Sequence, residues 1–210
     1  MIDDHTQTTI ATYDKTAKEY IVKVQKYAPE EEREMFVSMV KAGGKILDAG
    51  CGSGRDANHF ASQGFTVTGI DLSDNLLSYA KEHADPNATF LNMDLRAINL
   101  NTSFDGIWAS ASLLHLKRDE CLTVLRNFQH MLMPGGILFL LMKEGTGEQL
   151  VTSGTIEGDL RFFTYYMSDD LRQMLEGAGF KMIDQYTWDQ KDRNDERPHE
   201  VWISSFMKKM

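Results

Sequence analysis

Cysteine and long apolar runs are scarce in this chain of 210 residues. The two cysteines, Cys51 and Cys121, are too few and too far apart to form a disulfide framework or a cysteine-rich metal site. No apolar stretch approaches the ~20 residues that cross a bilayer. The opening segment MIDDHTQTTI also lacks the basic and apolar regions of a signal peptide. These absences predict a soluble cytoplasmic protein with no membrane segment and no metal.

Positive charge is in short supply as well. The chain has 22 Lys and Arg against 31 Asp and Glu, which gives a formal net charge of −9. A basic stripe that could bind a phosphate backbone is missing, so nucleic acid is not expected as a partner. A hydrophobic content of 42% with 25% charged residues is typical of a globular protein. The length suits one domain, and the sequence does not indicate an oligomeric state.

Short apolar runs of strand length alternate with segments of helical periodicity. Strands are predicted from branched and aromatic residues over 45–48, 65–71, 88–91, 104–108, 136–141, 180–188 and 200–206. Helices are predicted over 5–26 and 30–42, after the N-cap Ser73, before the turn Pro134-Gly135-Gly136, and over 168–178. The polar segment 189–199 is expected to be an exposed hairpin loop. Strands that alternate with helices predict an α/β fold of the Rossmann-like, doubly wound type, with a mostly parallel sheet and helices on both faces.

The most informative segment is the glycine-rich turn after the first strand, ILDAGCGSGRD at 46–56. Gly50, Gly52 and Gly54 predict a tight turn whose backbone approaches a ligand at the carboxyl edge of the sheet, although such a turn can also serve packing alone. Asp71 ends the second strand, where an acid can bind both ribose hydroxyls. Asp94 follows the third strand between apolar neighbours, where it could bind an exocyclic amine. Together these residues favour a nucleoside-containing cofactor.

The spacing of the glycines narrows the choice of cofactor. A dinucleotide fingerprint has Gly-x-Gly-x-x-Gly, but Arg55 stands where the third glycine is needed. A Walker lysine is missing too. Pyrophosphate binding is therefore disfavoured, and a nucleoside with an amino-acid tail remains.

The ordered segments ILDAGCGSGRD, VTGIDLS, NMDL, FDGIWASASLLHL and MLMPGGILFLLMKEG resemble the motif series of class I S-adenosylmethionine-dependent methyltransferases. The resemblance covers roughly residues 10–210. The segment GDLRFFTYYMSDDLRQMLEGAGF resembles small bacterial members near the tellurite-resistance methyltransferases. The family implies a seven-stranded sheet with an antiparallel last strand and a single domain over 1–210. Its expected parts are a helical cap (1–42), a cofactor-binding core (43–142), and a substrate-side segment with terminal strands (143–210).

The resemblance also implies S-adenosyl-L-methionine as cofactor and a set of contacts to it. The expected cofactor-binding residues are Tyr20, Asp48, Gly50, Gly52, Gly54, Arg55, Asp71, Leu72, Met93, Asp94, Leu95, Ala109 and Ser110. Among them, the glycines would lie under the methionine part, Asp71 at the ribose and Asp94 at the adenine amino group. Ala109 and Ser110 would line the floor near the sulfonium. Tyr20 could instead pack within an amphipathic helix, and Arg55, expected at the cofactor carboxylate, could be a surface residue.

Methyl transfer from a sulfonium is an in-line displacement, so the protein mainly has to position the acceptor and exclude water. His115 follows the fourth strand and is the candidate general base, although a locally packed histidine is an alternative. Further candidates for the acceptor side are Lys143, Glu144, Phe162, Phe163, Tyr165 and Tyr166.

We therefore expect S-adenosylmethionine-dependent methyl transfer to a small-molecule acceptor. The signatures of enzymes that methylate DNA amino groups or protein arginines are missing, since Ala109-Ser110-Ala111-Ser112 occupies the place of the DNA motif. A non-catalytic S-adenosylmethionine-binding module and a nicotinamide-dependent oxidoreductase remain as alternatives.

Overall fold

The computed structural model describes residues 4–152, 160–193 and 198–210. Three helices precede the first strand: α1 Asp4–Lys15, α2 Ala17–Val24 and α3 Glu30–Met39. The helix predicted over 5–26 is therefore two helices. They separate at Thr16, whose φ of −107° and ψ of 15° depart from helical values.

The elements of the central part alternate as the sequence predicted. They are β1 Lys45–Ala49, α4 Arg55–Ser62, β2 Thr66–Asp71, α5 Asp74–Glu82, β3 Ala88–Asn92, β4 Phe104–Ser110, α6 Arg118–Met131 and β5 Leu132–Lys143. Short 3₁₀ turns lie at Leu95–Ala97 and Leu113–His115. The predicted N-cap of α5 is confirmed, because the Ser73 hydroxyl accepts a hydrogen bond from the Leu76 amide.

The turn that the sequence predicted at Pro134-Gly135-Gly136 is not separate from the strand, because these residues lie within β5. Helix α6 does end nearby, at Met131, but β5 begins at once with Leu132, which pairs with Phe104. The pairing then shifts, so that Gly106 is opposite Ile137. The extra residues are accommodated as an irregularity within the strand, because apolar Leu132 is buried at the sheet.

The remaining elements are β6 Glu148–Thr152, β7 Leu160–Thr164, α7 Ser168–Gly177, β8 Phe180–Asp189, α8 Gln190–Arg193 and β9 Val201–Lys209. Strands β6 and β7 form a separate antiparallel ribbon that the sequence did not predict. The predicted hairpin connection over 189–199 does join the antiparallel strands β8 and β9, although 194–197 lie outside the described residues.

The main sheet has seven strands in the order β3-β2-β1-β4-β5-β9-β8. All neighbouring pairs from β3 to β5 are parallel, whereas β9 runs antiparallel to both β5 and β8. The predicted fold class, with an antiparallel last strand, is confirmed. Strand order reverses between β1 and β4, and ligands of such sheets bind at the carboxyl ends of the strands at this switch point. In the described residues, no helix is both long and apolar enough to cross a membrane.

Candidate functional site

The glycine-rich turn leaves β1 at the switch point of the sheet. Gly50 and Gly54 have φ values of +83° and +78°, which disfavour any residue with a side chain. A Cβ added to Gly50 would lie 2.3 Å from the Cβ of Ser112, and one on Gly54 would lie 2.7 Å from Cζ of Phe90. The turn is held against β2, because the Gly50 amide donates to the Ile70 carbonyl at 2.8 Å.

Asp71 occupies the next strand end, beside this turn. One carboxylate oxygen accepts a hydrogen bond from the Gly52 amide at 2.8 Å, and the other accepts from the Ser73 amide at 2.9 Å. Burial raises the pKa of Asp71 above its usual range. Each oxygen keeps a further lone pair, so the carboxylate can accept two more hydrogen bonds.

A cavity of about 120 Å³, which we name the glycine-turn cavity, opens above these residues. It brings together nine of the thirteen predicted cofactor-binding residues: Tyr20, Gly50, Gly52, Asp71, Leu72, Met93, Asp94, Leu95 and Ser110. The positions of these residues at the ends of separate strands therefore predicted correctly that they lie close together, because parallel strands end at the same edge of the sheet.

The other four predicted residues do not line this cavity. Asp48 and Ala109 lie within the sheet, with 2% and 0% of their surface exposed, and Gly54 is the N-cap residue before helix α4. Ala109 is fully buried in β4, and its expected place at the floor near the sulfonium stays a prediction. Burial raises the pKa of Asp48 well above its usual range, and the neighbouring Asp56 carboxylate adds to the effect. Among the described residues, Asp48 Oδ2 has no hydrogen-bond partner.

Arg55 lines a second cavity instead. Its guanidinium donates to both oxygens of Asp56 at 2.9 Å and to the carbonyls of Val24 and Tyr27, at the end of α2 and just beyond it. In this structure Arg55 therefore fastens the N-terminal helices to α4, and contact with a cofactor carboxylate remains a prediction.

Asp94 faces the glycine-turn cavity together with Arg96, a residue that the sequence patterns did not single out. Arg96 Nη2 donates to Asp94 at 2.7 Å, while its Nη1 donates to Glu120 at 2.9 Å. These carboxylates raise the pKa of Arg96. Arg96 thus orients Asp94, and only their two-residue spacing could have suggested the pair.

Helices α1 and α2 cover the cavity. The rings of Tyr13 and Tyr20 meet edge to face with centroids 5.0 Å apart, and both line the cavity. Asp14 fixes the cover to the start of α5, because it accepts hydrogen bonds from the Ser73 hydroxyl at 2.5 Å and the Asn75 amide at 3.2 Å. The pattern Tyr13-Asp14-x-x-Ala17-x-x-Tyr20 therefore places its two tyrosines at the ligand side.

His115 is held by two hydrogen bonds. Its Nδ1 lies 2.7 Å from the Phe162 carbonyl, and its Nε2 lies 3.0 Å from the Tyr13 hydroxyl. Because a carbonyl only accepts, Nδ1 carries the proton and Nε2 accepts from Tyr13. Burial lowers the pKa of His115 to about 3, and the nearby Arg161 contributes. His115 is therefore neutral at physiological pH and does not by itself act as a strong base.

Arg161 completes this chain of contacts and was also missed from the sequence. Its Nη1 donates to the Tyr13 hydroxyl oxygen at 2.7 Å, and its guanidinium lies 4.9 Å from the centre of the Tyr13 ring. The Tyr13 hydroxyl thus stands between a cation and a neutral imidazole.

The second cavity, of about 260 Å³, lies between α2, β7 and the β8–β9 hairpin, and we name it the aromatic cavity. The two cavities share a wall formed by Tyr13, Tyr20, Ser110, Ala111 and His115. Ala111 has a φ of +54°, which is uncommon for a residue with a side chain and marks a constrained backbone at this wall.

Of the remaining acceptor-side candidates, Lys143 and Phe163 line the aromatic cavity. Glu144 instead accepts a hydrogen bond from Ser168, and Tyr166 is 1% exposed in the core. Phe162 does not line the aromatic cavity, and its carbonyl accepts a hydrogen bond from His115. Trp188 and Trp202, which also line the cavity, were not singled out from the sequence because tryptophans in terminal strands usually serve packing.

Known proteins resemble this chain in the segment that contains the glycine turn. Residues 46–136 match the family model described as a methyltransferase domain. The chain is similar to methyltransferase domains over these residues. Its similarity to "Putative methyltransferase YqeM" of Bacillus subtilis is 37% identity over 103 residues, which cover 45% of this chain and 40% of that protein. The chain thus spans less than two thirds of the length of the curated relatives it matches. It covers 65% of the length of the next relative.

Solved structures of methyltransferases share the fold of this chain. A 1,6-didemethyltoxoflavin-N1-methyltransferase from Burkholderia thailandensis, with bound 1,6-didemethyltoxoflavin and S-adenosylhomocysteine, superimposes with a TM-score of 0.75 at 20% identity. The match covers 100% of this chain and 92% of that one. A TehB-like methyltransferase from Corynebacterium glutamicum gives a TM-score of 0.69 at 22% identity, covering 95% and 99%. The predicted resemblance to class I methyltransferases is confirmed.

Proposed function

We propose that this protein transfers the methyl group of S-adenosylmethionine to a small-molecule acceptor. The observation that carries the proposal is the shared wall of Tyr13, Tyr20, Ser110, Ala111 and His115. It joins a cavity with a nucleoside-binding donor set to a second cavity large enough for a small acceptor. The Burkholderia methyltransferase binds the small molecule 1,6-didemethyltoxoflavin beside S-adenosylhomocysteine, which supports this class of substrate.

The residues of the glycine-turn cavity fit S-adenosylmethionine. The Asp71 carboxylate has lone pairs for two ribose hydroxyls, while Met93 and Leu95 flank Asp94 as apolar cover for a flat ring. When bound there, the cofactor supplies a methyl group on a positively charged sulfur.

Most of the catalytic effect that we assign to the chain is positioning. Helices α1 and α2 cover the cavity wall, where Asp14 fixes them to α5. Holding two reactants in line lowers the barrier by up to ~7–11 kcal/mol in favourable cases. Side chains on the wall then orient the acceptor atom.

We propose that Tyr13 contacts the acceptor and that His115 positions Tyr13. The neutral imidazole accepts the hydroxyl proton in a hydrogen bond, and Arg161 supports the hydroxyl oxygen. The oxygen of Tyr13 is thereby directed to accept a hydrogen bond from an incoming O–H or N–H group. His115 acts through Tyr13 in this proposal, rather than as the base itself.

Asp71→Ala tests the cofactor site. Loss of two charge-assisted hydrogen bonds, each worth about 1.5–3 kcal/mol, should weaken S-adenosylmethionine binding by at least ~10-fold in calorimetry. Asp74→Ala, at an exposed position in the first turn of α5, is the matched control and should bind normally. Unchanged affinity in a folded Asp71→Ala protein would contradict the site.

The same titration separates the alternatives. A nicotinamide-dependent oxidoreductase would bind NADH in preference to S-adenosylmethionine. A non-catalytic module would bind S-adenosylmethionine but form no S-adenosylhomocysteine when incubated with a broad set of small acceptors and labelled cofactor.

Tyr13→Phe tests the acceptor side of the wall. With an acceptor found in that screen, turnover should fall by at least ~10-fold, up to the ~10²–10⁴-fold range of proton-handling groups. Affinity for S-adenosylhomocysteine should stay within ~3-fold, since the ring remains. Full turnover in Tyr13→Phe would exclude the hydroxyl from the reaction.

A cytoplasmic location and a single domain over 1–210 are also part of this proposal. They rest on the composition and on the length of the motif series.

A further inference from the structure

The described residues that line the aromatic cavity include more basic than acidic side chains, unlike the chain as a whole. Among the described residues that line it, one is acidic, Glu200. Six are basic: Lys23, Lys26, Arg55, Lys143, Arg161 and Arg193. This local excess of basic side chains contrasts with the net charge of −9 of the chain.

Part of this positive charge is balanced by neighbouring carboxylates. Arg55 pairs with Asp56, and Lys143 Nζ lies 2.7 Å from Glu200. Arg193 pairs with the completely buried Glu32, at 2.9 Å. Lys23 and Lys26, which lie in α2 and just after it, also line the cavity.

Flat apolar surfaces lie directly beside these cations. The ammonium group of Lys143 is 4.4 Å from the ring centre of Phe163 and 5.4 Å from that of Trp202. The Arg193 guanidinium lies 3.6 Å over the Trp188 ring. The Trp188 and Trp202 rings are nearly parallel, at 20°. The cavity therefore offers aromatic walls and positive charge in the same small volume.

We propose that the methyl acceptor is a flat molecule with an anionic oxygen group, of which an aromatic carboxylate is the simplest example. The inference rests on the proposed function, because it names the occupant of the cavity beyond the shared wall. The ring packs against Phe163 and the two tryptophans, and the anionic group meets the lysine ammonium groups. An attraction between opposite charges is stronger in such a partly enclosed site than in water.

The position of Lys143 supports this assignment. It is 8% exposed at the end of β5, directly over the carboxyl edge, and its stem is packed rather than solvated. A buried ammonium costs free energy unless anions or aromatic faces compensate for it, and an acceptor carboxylate would add to the compensation from Glu200.

The test compares acids with their neutral amides on protein saturated with S-adenosylhomocysteine. Benzoate, 4-hydroxybenzoate, 3,4-dihydroxybenzoate and 2-naphthoate would each be titrated beside the matching amide by calorimetry. At least one acid should bind ~10-fold more tightly than its amide, and added salt should reduce the difference. If no acid binds, or if the amides bind equally well in every pair, the inference is overturned.

Substitutions of lysines in the aromatic cavity test whether the preference for acids over amides arises there. Lys143→Met and Lys23→Met should each reduce the acid-to-amide ratio by ~3-fold or more, whereas Lys143→Arg should retain it. Lys81→Met, on the exposed side of α5, is the matched control and should keep the full ratio. Equal loss of acid and amide binding in both methionine variants would indicate packing and overturn the inference. If Lys143→Met does not fold, the partly exposed Lys23→Met decides the outcome.

The cofactor titration keeps the two proposals separate. Failure to bind S-adenosylhomocysteine would refute the proposed function. Binding of S-adenosylhomocysteine without a preference for acids would refute only the anionic acceptor.

Discussion

Three aspartates near the glycine-rich turn differ in proton affinity because their immediate neighbours differ. Burial raises the pKa of Asp48 and of Asp71. Asp56 is buried as Asp48 is, but the guanidinium groups of Arg55 and Arg33 hold its pKa below the usual range. Burial alone therefore does not decide the charge of a carboxyl group in this site; the nearest cation does.

His115 provides a prediction on the pH dependence of stability. Its pKa is lowered to about 3 in the folded protein, against an ordinary value of 6.5. As the pH falls below about 6.5, the unfolded chain binds a proton that the folded protein excludes, so stability falls by about 1.4 kcal/mol per pH unit. The contribution of the neutral His115 to the free energy of unfolding is therefore complete above about pH 6.5 and is lost as the pH decreases towards about 3.

Urea unfolding at about pH 7 and about pH 5 measures this effect. The wild-type protein should lose about 2 kcal/mol more between the two conditions than His115→Asn. His83→Asn, at an exposed histidine, should behave as the wild type. An identical pH dependence for wild type and His115→Asn would show that the imidazole accepts a proton freely in the folded state.

At the level of the elements, the sequence predicted best where one physical signal dominates. Strands β1 to β4 carry compact branched and aromatic runs that match buried strands, and they were located to within a few residues. Strand β6 was missed because Glu148–Thr152 is mostly exposed and lacks an apolar face. The early start of β5 was missed because Pro134 and two glycines normally end an element, whereas pairing of Leu132 with Phe104 outweighs them here.

In the candidate site, too, some features could be predicted from the sequence and others could not. The glycine turn and Asp71 could be predicted, since each lies at the end of its own strand and local spacing fixes its place. The aromatic cavity could not, because Lys23, Arg161 and Trp188 come from elements far apart in the chain. Only packing of α2, β7 and β8 around one space gives these side chains a common function.

For the whole molecule, the net charge and the local charge lead to different conclusions. A charge of −9 opposes binding of a large polyanion, which would contact much of the surface. A small anion contacts only the cavity that it enters, where basic residues outnumber acidic ones among the described lining residues. Overall acidity is therefore compatible with an anionic acceptor as long as the acceptor is small.

The parts of the molecule are joined at one buried carboxylate, that of Asp56. It accepts hydrogen bonds from Arg33 of α3, from Arg55 of α4 and, at 2.9 Å, from Nε1 of Trp108 in β4. Asp56→Ala would leave two buried guanidinium groups without this carboxylate, and we expect a loss of about 3–5 kcal/mol in the free energy of unfolding.

Urea unfolding followed by circular dichroism tests this at the scale of the whole chain. The midpoint should decrease with little change in the denaturant slope if the chain unfolds as one cooperative unit. Asp170→Ala, at an exposed aspartate in the first turn of α7, should change stability by less than ~0.5 kcal/mol. A decrease below ~1 kcal/mol in Asp56→Ala would mean that the N-terminal helices are held to the sheet by apolar packing, with the buried ion pairs adding little.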